Sequence, residues 1–566
     1  MTNQLVIKQI ETKPFEGQKP GTSGLRKRVV EFEKGLYLHN FVQSIFNVLG
    51  SDKLKGSTLV VGGDGRYFNS QALQIIFAIA AANGVGKILV GQDGLLSTPA
   101  LSAVVRARKA LGAIILTASH NPGGKHGDFG IKYNVSNGGP APEAFTNKIF
   151  DETKKISVIH MADNVRVADL SKLGTTEWTG FQVEVIDSVE EYWQLMQTVF
   201  DMKQIKELVA RKGFVFNFDA MSGVTGVYAQ RIFEKELGVA KDCLINCVPS
   251  EDFNGGHPDP NLTYAPELVK KMNAGLFDVG CASDGDGDRN MVLGKRFFVN
   301  PSDSVAVIAA NWDAIPYFRA AGGLKGLARS MPTSAALDLV ATRAMVPFFE
   351  VPTGWKFFGN LMDTDQLSIC GEESFGTGSD HIREKDGIWA ILCWLQILAH
   401  HNKDTTKELV SIESIVHNHW RKYGRNYYSR YDYEEVDTKL GDEVMKQIAD
   451  TIATKSLVGR KFTGSDGVEY EIASVDDFEY KDPVDHSVSS HQGLRIRFKD
   501  GSRIIFRLSG TGSTGATIRL YFDKYEQRES HLFDDTQKHL STLINIALEL
   551  SNLQKITGRN EPNVIT

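Results

Sequence analysis

The strongest constraint in this sequence is a pattern that occurs three times. Residues 58–61 read as a short apolar strand, 70–83 as a helix, 88–90 as a strand, 99–110 as a helix and 113–116 as a strand. The same β-α-β-α-β order returns over 214–218, 224–237, 243–248, 265–274 and 279–281, and again over 327–330, 334–344, 346–351, 355–362 and 367–370. Strands that alternate with helices build parallel sheets. The fixed hand of the crossover puts the C-terminal ends of a unit's strands on one edge, where ligands bind. The segment after each third strand is therefore expected to lie in a binding position.

Those three segments differ in chemistry. They are Thr117-Ala-Ser-His-Asn-Pro-Gly-Gly124, then Ser283-Asp-Gly-Asp-Gly-Asp-Arg289, then Gly371-Glu-Glu-Ser-Phe-Gly376. Beyond about residue 405 the pattern changes: 493–498 and 503–508 alternate around Lys499-Asp-Gly-Ser502 as a β-hairpin, followed by a glycine-rich loop, a strand over 516–522 and an amphipathic helix over 531–554. The expected fold class is α/β, with three repeated β-α-β-α-β mixed-sheet domains and a smaller α+β C-terminal domain around a central cleft. The expected divisions are 1–191, 192–304, 305–405 and 406–566.

Composition narrows the function classes. A chain of 566 residues with 42% hydrophobic and 23% charged residues matches a folded, soluble protein of several domains. Its 63 basic and 69 acidic residues, a net charge of −6, give no field to attract nucleic acid or an anionic membrane, so an anionic ligand must be held by local groups. The apolar runs 72–82 and 388–399 are shorter than the roughly 18 to 20 residues that span a bilayer, and the N-terminal segment lacks a signal peptide's apolar core. Five cysteines (Cys243, Cys247, Cys281, Cys370 and Cys393) suit a reducing compartment, and Cys243 and Cys247 have no second ligand pair at zinc spacing. A cytoplasmic protein is expected.

Asp284, Asp286 and Asp288 alternate with glycines, so in extended backbone the three carboxylates point the same way while the glycines let the chain curl round an ion. All-oxygen ligation favours Mg²⁺ or Mn²⁺; a plain acidic turn is the alternative. An EF-hand fails, because its sixth position would be Arg289 and its twelfth Lys295. Gly510, Gly512 and Gly515 match a dinucleotide fingerprint, but a strand-like run comes next where a helix is required. Arg507, Ser509, Thr511, Ser513 and Arg519 read better as a phosphate cradle, against an ordinary hairpin loop.

Ser119 follows a buried strand on a turn rich in proline and glycine. Thr117 stands two residues before it, so no Gly-x-Ser-x-Gly elbow exists; opposite an acidic metal loop the serine reads as a group that takes and gives a phosphoryl, and by itself as a turn or cap serine. The basic, hydroxyl-rich segment Gly21-Thr-Ser-Gly-Leu-Arg-Lys27 carries Thr22 and Arg26, and Lys132 is a candidate proton carrier if neighbouring cations lower its pKa. Glu372 and Ser374, with Thr353-Gly-Trp-Lys356 and His381-Ile-Arg-Glu-Lys-Asp386, could hydrogen-bond a polyol, or merely cap helices and solvate the surface. No Walker A sequence occurs, so ATP-driven kinase chemistry is not indicated.

Taken in order, these motifs and the terminal Thr557-Gly-Arg559 resemble the α-D-phosphohexomutase superfamily over nearly the whole chain, and the Gly-Glu-Glu-Ser-Phe-Gly loop is similar to that of its glucose-preferring members. The resemblance implies four domains around one cleft, Ser119 as a phosphoserine supported by His120, Lys132 and Arg26, and Mg²⁺ held by Ser119, Asp284, Asp286 and Asp288. It implies that Thr22, Arg26, Asp288, Arg289, Thr353, Gly354, Glu372, Ser374 and Lys385 bind the sugar phosphate, while Arg507, Ser509, Gly510, Thr511 and Arg519 hold its non-reacting phosphate. The implied reaction interconverts glucose 1-phosphate and glucose 6-phosphate through glucose 1,6-bisphosphate, which is also the activator. Ser222 departs from the pattern, since many relatives have histidine there. Two other readings are a mutase with substantial mannose phosphate activity and a non-catalytic relative serving adhesion or secretion. The latter's expected signature, decay of the serine, metal or phosphate loops, is not visible. The expected partners are small sugar phosphates, with neither nucleic acid nor a membrane span, and the chain is expected to act as a monomer.

Overall fold

The three repeats form three sheets of one topology, in a computed structural model that describes residues 4–21, 23–464, 467–510 and 515–566. In the third unit Phe348–Val351, Leu327–Ser330, Ile369–Glu372 and Gly376–Ser379 lie side by side in that order, the first three parallel and the last antiparallel. The second unit repeats this with Leu244–Ile245, Phe216–Asp219, Val279–Ser283 and Asn290–Gly294, and adds Phe297–Phe298. The first repeats it with Lys87–Leu95, Thr58–Gly63, Gly112–Leu116 and Asp128–Val135; Leu25–Arg28 extends one edge, Phe181–Ile186 and Gly174–Trp178 the other. Each loop after a third strand thus returns as an antiparallel fourth strand. Sheet hydrogen bonds fix the loop at both ends.

Local sequence sets the helices that carry these loops. Ser97 caps Thr98–Ala107 by accepting from Ala100 N at 3.2 Å, with Pro99 in the first turn, where its missing N–H costs nothing. Asp386 caps Gly387–His401 by accepting from Trp389 N at 3.0 Å. That helix is apolar on every side, and its Trp389 and Trp394 are fully buried, so it runs through the interior. Val104, Tyr192, Phe218, Ile308, Trp389 and Trp394 share one continuous core, which binds the three units into a single body.

The C-terminal part is built differently. Lys461–Thr463, Glu469–Asp477, Leu494–Phe498, Arg503–Gly510, Ala516–Glu526, Arg425–Val436 and Val564–Ile565 make an antiparallel sheet in that order. Helices Thr438–Ala453 and Thr536–Ser551 cover one face, over a separate core around Phe506 and Leu520. The other face meets the third unit through a small cluster of Met331, Tyr428, Phe478, Ile505 and Tyr521.

Three elements differ from their sequence expectation. The strand expected over 243–248 is only Leu244–Ile245, because Asn246 takes φ +51 and turns the chain away. The helix expected over 224–237 is α-helical at Thr225–Ala229 and widens to a π-helical turn at Gln230–Glu236. The last helix starts at Thr536 rather than 531, since Asp535 caps it by accepting from Lys538 N at 2.8 Å, and Asn552 at φ +47 separates it from Leu553–Thr557. Among the described residues no helix is long and apolar enough to cross a membrane.

Candidate active site

Ser119 stands two residues past Thr117 on the first loop with φ +54, a left-handed backbone that a residue with a side chain seldom adopts. Its surroundings impose that shape. Arg66, fully buried, grips Asp64 through Nε at 2.9 and 3.0 Å and donates to the carbonyls of Ser119 at 2.8 Å, Asp128 at 2.9 Å and Asn121 at 3.3 Å. Thr117 Oγ1 donates to Asp64 Oδ2 at 2.6 Å and accepts from Ser119 N at 2.7 Å. Ser119 Oγ, on a residue only 2% exposed, donates to Asp284 Oδ2 at 2.9 Å.

Asp284, Asp286 and Asp288 are all buried, with ligand atoms within 4.8 Å of one another; among the described residues no other three His, Cys, Asp or Glu side chains gather so closely. Glycine is required for this loop to approach the first, because a Cβ on Gly285 would lie 2.7 Å from the carbonyl oxygen of Ser119. Thr98 Oγ1 donates to Asp286 Oδ2 at 2.8 Å, while Asp286 Oδ1 is buried without a partner. Burial and the charges of Asp286 and Asp288 push Asp284 well above the usual carboxylate range. Burial pushes Asp286 up too, but Lys132 and its hydrogen bonds outweigh that and hold it below its ordinary value. Close carboxylates with an orphaned oxygen and a neighbouring hydroxyl form a hard oxygen donor set, which fits Mg²⁺ or Mn²⁺.

Above this floor lies a cleft of about 800 Å³ walled by all four parts of the chain. Arg26, His120 and Lys132 come from the first unit, Asp288 and Arg289 from the second, Thr353, Gly354, Glu372, Ser374 and Lys385 from the third, and Arg507, Ser509, Gly510 and Arg519 from the C-terminal sheet. Ser119, Asp284 and Asp286 sit beneath the lining. Thr22, Thr511 and Ser513 lie outside the described residues.

Second contacts orient these groups. Gly354 N donates to Glu372 Oε1 at 3.0 Å, and Lys385 Nζ lies 3.1 Å from Asp288 Oδ1. Burial raises Glu372, with Lys385 opposing. Arg289 Nη1 pairs with Asp259 Oδ1 at 2.9 Å. Arg507 donates from Nη1 to Tyr521 OH at 3.3 Å and from Nε to Gln492 O at 3.2 Å, and Arg519 Nε lies 3.6 Å from Asp432 Oδ1. Lys132 Nζ donates to Glu384 Oε1 at 3.1 Å, so a carboxylate faces it within a cleft that also holds Arg26, Arg289 and Lys385. His120 Nδ1 lies 3.4 Å from Ser119 Oγ; burial, then Arg289 and Arg26, drive its pKa well below the ordinary value, so the ring is neutral at pH 7. Arg26 Nε and Thr353 Oγ1 are buried polar atoms without a partner among the described residues, as expected of groups that await a ligand.

Sequence reasoning missed three residues here and the pairing of a fourth. Asp64 and Arg66 directly follow the first strand, so two charges at the C-terminal edge of a buried strand were a readable signal. Thr98 looks like part of a helix cap until the structure sets it beside Asp286. Glu384 lies in the 381–386 segment read as polyol-binding, but nothing in that segment singled it out as the partner of Lys132; it also accepts from Asn134 Nδ2 at 2.8 Å.

Comparison with known proteins covers the same regions. Family descriptions of phosphoglucomutase/phosphomannomutase alpha/beta/alpha domains I, II and III match residues 17–159, 190–296 and 301–423, and a phosphoglucomutase-1 C-terminal domain matches 425–563. Phosphoglucomutase-1 of Dictyostelium discoideum is 71% identical over 563 residues, 98% of each chain. A cytoplasmic phosphoglucomutase of Mesembryanthemum crystallinum is 57% identical over 580 residues, 99% of each. Among solved structures, the open form of the exocytosis-sensitive phosphoprotein parafusin, a phosphoglucomutase from Paramecium, superposes with a TM-score of 0.90 at 51% identity, over 100% of both chains.

Proposed function

We propose, on the premise that this chain belongs to the phosphoglucomutase/phosphomannomutase family, that it is a phosphoglucomutase interconverting glucose 1-phosphate and glucose 6-phosphate. One observation carries this reading: the Ser119 hydroxyl meets the acidic triad at the floor of a cleft walled by cationic and hydroxyl groups from every part of the chain.

In this reading Ser119 carries a phosphoryl group at rest. The bond from phosphorus to Oγ breaks as a bond to O6 of glucose 1-phosphate forms, giving glucose 1,6-bisphosphate. O6 gives up its proton and the leaving Oγ takes one up, so no net proton is gained or lost, with His120, Lys132 and Arg26 as the acid-base or electrostatic groups beside Ser119. After the intermediate turns over, the bond from phosphorus to O1 breaks as Oγ loses its proton and takes that phosphoryl, O1 gains a proton, and glucose 6-phosphate leaves. Asp284, Asp286 and Asp288, with a phosphoserine oxygen, would hold Mg²⁺, which when bound offsets charge on the transferring group. Arg26, Lys132 and Arg289 bring cationic side chains to the same place. Glu372, Ser374, Thr353, Gly354 and Lys385 hold the sugar in either orientation, and Thr22 is proposed as a further substrate-binding residue. Arg507, Ser509, Gly510, Thr511 and Arg519 hold the phosphate that is not reacting. Closure of the cleft over bound sugar phosphate would exclude the water that otherwise hydrolyses the phosphoserine.

Domains are proposed at 1–191, 192–304, 305–405 and 406–566, with helix Ile412–Tyr423 adding its apolar face to the shared core. One chain supplies the whole cleft, which suits a monomer, and the cytoplasmic relatives support a cytoplasmic location. The test is conversion of glucose 1-phosphate to glucose 6-phosphate by purified protein with Mg²⁺ and a trace of glucose 1,6-bisphosphate. A folded, metal-loaded protein without activity would sink the reading.

A further inference from the structure

Glu350 lies on edge strand Phe348–Val351 of the third unit, three residues before Thr353 of the sugar-binding segment. Three guanidiniums converge on it. Oε1 accepts from Arg329 Nη1 at 3.0 Å and from Arg503 Nη1 at 3.3 Å, and Oε2 accepts from Arg495 Nη1 at 2.9 Å. Arg329 belongs to the third unit, whereas Arg495 and Arg503 belong to the C-terminal sheet, so this carboxylate spans the boundary between them.

Arg503 opens strand Arg503–Gly510, and strand alternation puts Arg503, Arg507 and Ser509 on one face. Arg507 lies four strand steps beyond Arg503, about 14 Å at ~3.4 Å per step. One carboxylate is therefore tied on its own chain to the sugar-binding segment and across the boundary to the strand that presents the phosphate cradle. The boundary carries other contacts too: the small cluster around Met331 and Ile505, Tyr480 against Phe357, and bonds from Arg503 to the carbonyls of Met331 at 3.1 Å and Thr333 at 2.5 Å. Further bonds run from Tyr428 OH to Pro332 O at 2.8 Å, from Ala335 N to Asp523 Oδ2 at 3.0 Å and from Asn360 Nδ2 to Asp482 Oδ2 at 2.9 Å. Glu350 differs from these in tying two guanidiniums of the C-terminal sheet to the strand that leads into the sugar-binding segment.

We propose that Glu350 is a positioning residue for the mutase reaction, fixing the span between the sugar-binding loops and the phosphate cradle by holding Arg495 and Arg503 against the third unit. This rests on the phosphoglucomutase reading. Each arginine keeps a carboxylate within its own part: Arg329 with Asp338 at 2.7 Å, Arg495 with Asp476 at 2.8 Å and Arg503 with Asp523 at 2.8 Å. Loss of Glu350 thus leaves each of the three arginines a counter-charge, and removes the ionic link across the boundary nearest the sugar-binding segment rather than the fold of either side. A mutase depends on that span in both half-reactions, because the bisphosphate presents either phosphate to the cradle.

The experiment compares wild type, Glu350→Gln and Glu350→Asp. Glu350→Gln is expected to raise KM for glucose 1-phosphate about tenfold, a weakening of ~1.4 kcal/mol, while kcat at saturation and the melting temperature change little. Glu350→Asp, which keeps the charge, should recover part of the KM. If Glu350→Gln does not fold, Arg495→Gln removes the Oε2 half of the cross-link from the opposite side, leaving Arg503 on Oε1, and is expected to show the same split at a smaller amplitude. Calorimetric titration with inorganic phosphate reads the cradle without catalysis, and binding should weaken in parallel. Unchanged KM and unchanged phosphate affinity in a folded variant would overturn the proposal, as would a fall in kcat at unchanged KM. An inactive wild type in which Glu350→Gln still weakens phosphate binding would instead count against the mutase reading alone.

Discussion

Ser119 Oγ donates to Asp284 Oδ2 at 2.9 Å, which joins the hydroxyl of the first repeat to the acidic loop of the second. The two residues stand on equivalent loops of separate sheets, yet form one centre. Replacing Ser119 with alanine removes the phosphoryl acceptor and only about 1 kcal/mol of hydrogen bonding. Activity should fall at least about a thousandfold in a coupled glucose 6-phosphate assay, with circular dichroism and melting nearly unchanged. A variant that keeps a tenth of the wild-type rate would remove Ser119 from the mechanism.

Metal should appear in stability as well as in rate. Stripping with EDTA should abolish turnover, and Mg²⁺ at a hundred times its dissociation constant should stabilise the fold by about 2.7 kcal/mol, read as a rise in melting temperature. Asp284→Asn relieves burial and like-charge repulsion among the three carboxylates. It should therefore melt higher than wild type when both are metal-free, and respond less to added Mg²⁺. A lower metal-free melting point would contradict this account of the loop.

Arg66 is where substitution should be most damaging outside the cleft. Lysine cannot reach Asp64 and three carbonyls at once, and breaking a buried pair costs about 3 to 5 kcal/mol. Arg66→Lys is expected to lower the denaturation midpoint and, where still folded, to lower kcat at least tenfold because the Ser119 turn loses its support. Equal kcat in a folded variant would show that the turn holds itself.

Asp303 supplies a pH test away from the centre. It is buried at the start of helix Pro301–Ala310, accepts from Trp420 Nε1 at 3.2 Å, and burial raises it to about 6 against Arg425. Because the folded value exceeds the ordinary 3.8, its contribution is fully present below about pH 4 and is lost as pH rises through 6. Relative to Asp303→Asn, wild type should gain about 1.4 kcal/mol at pH 5 over pH 8 and approach ~3 kcal/mol in full, measured by urea midpoints. A difference that does not move with pH would show that Asp303 ionises normally.

Much of this was legible before any coordinates, because hydrophobic period and glycine placement are local signals. The strand Leu327–Ser330 and the helix Trp355–Asp363 fall close to their expected positions. Asp284, Asp286 and Asp288 announce themselves by spacing. The features that could not be read depend on contacts distant in sequence: Thr98 meets Asp286 across 188 positions, and Lys132 meets Glu384 across 252. Backbone handedness was also hidden, since nothing near Asn246 or Asn552 separates a left-handed residue from an ordinary turn or helix position until packing decides. The terminal helix is shorter than its apolar spacing implies, because that spacing runs on both sides of Asp535, where the side-chain cap begins the helix.

The left-handed backbone at Ser119 also restricts which alcohol can stand there. Threonine carries the same hydroxyl, but its branched Cβ is a genuine outlier at φ +54. Tyrosine would put its oxygen a ring's length away from Asp284. In the family of side chains that could accept a phosphoryl group, the peptide geometry of this turn admits serine and turns its nearest chemical substitute away.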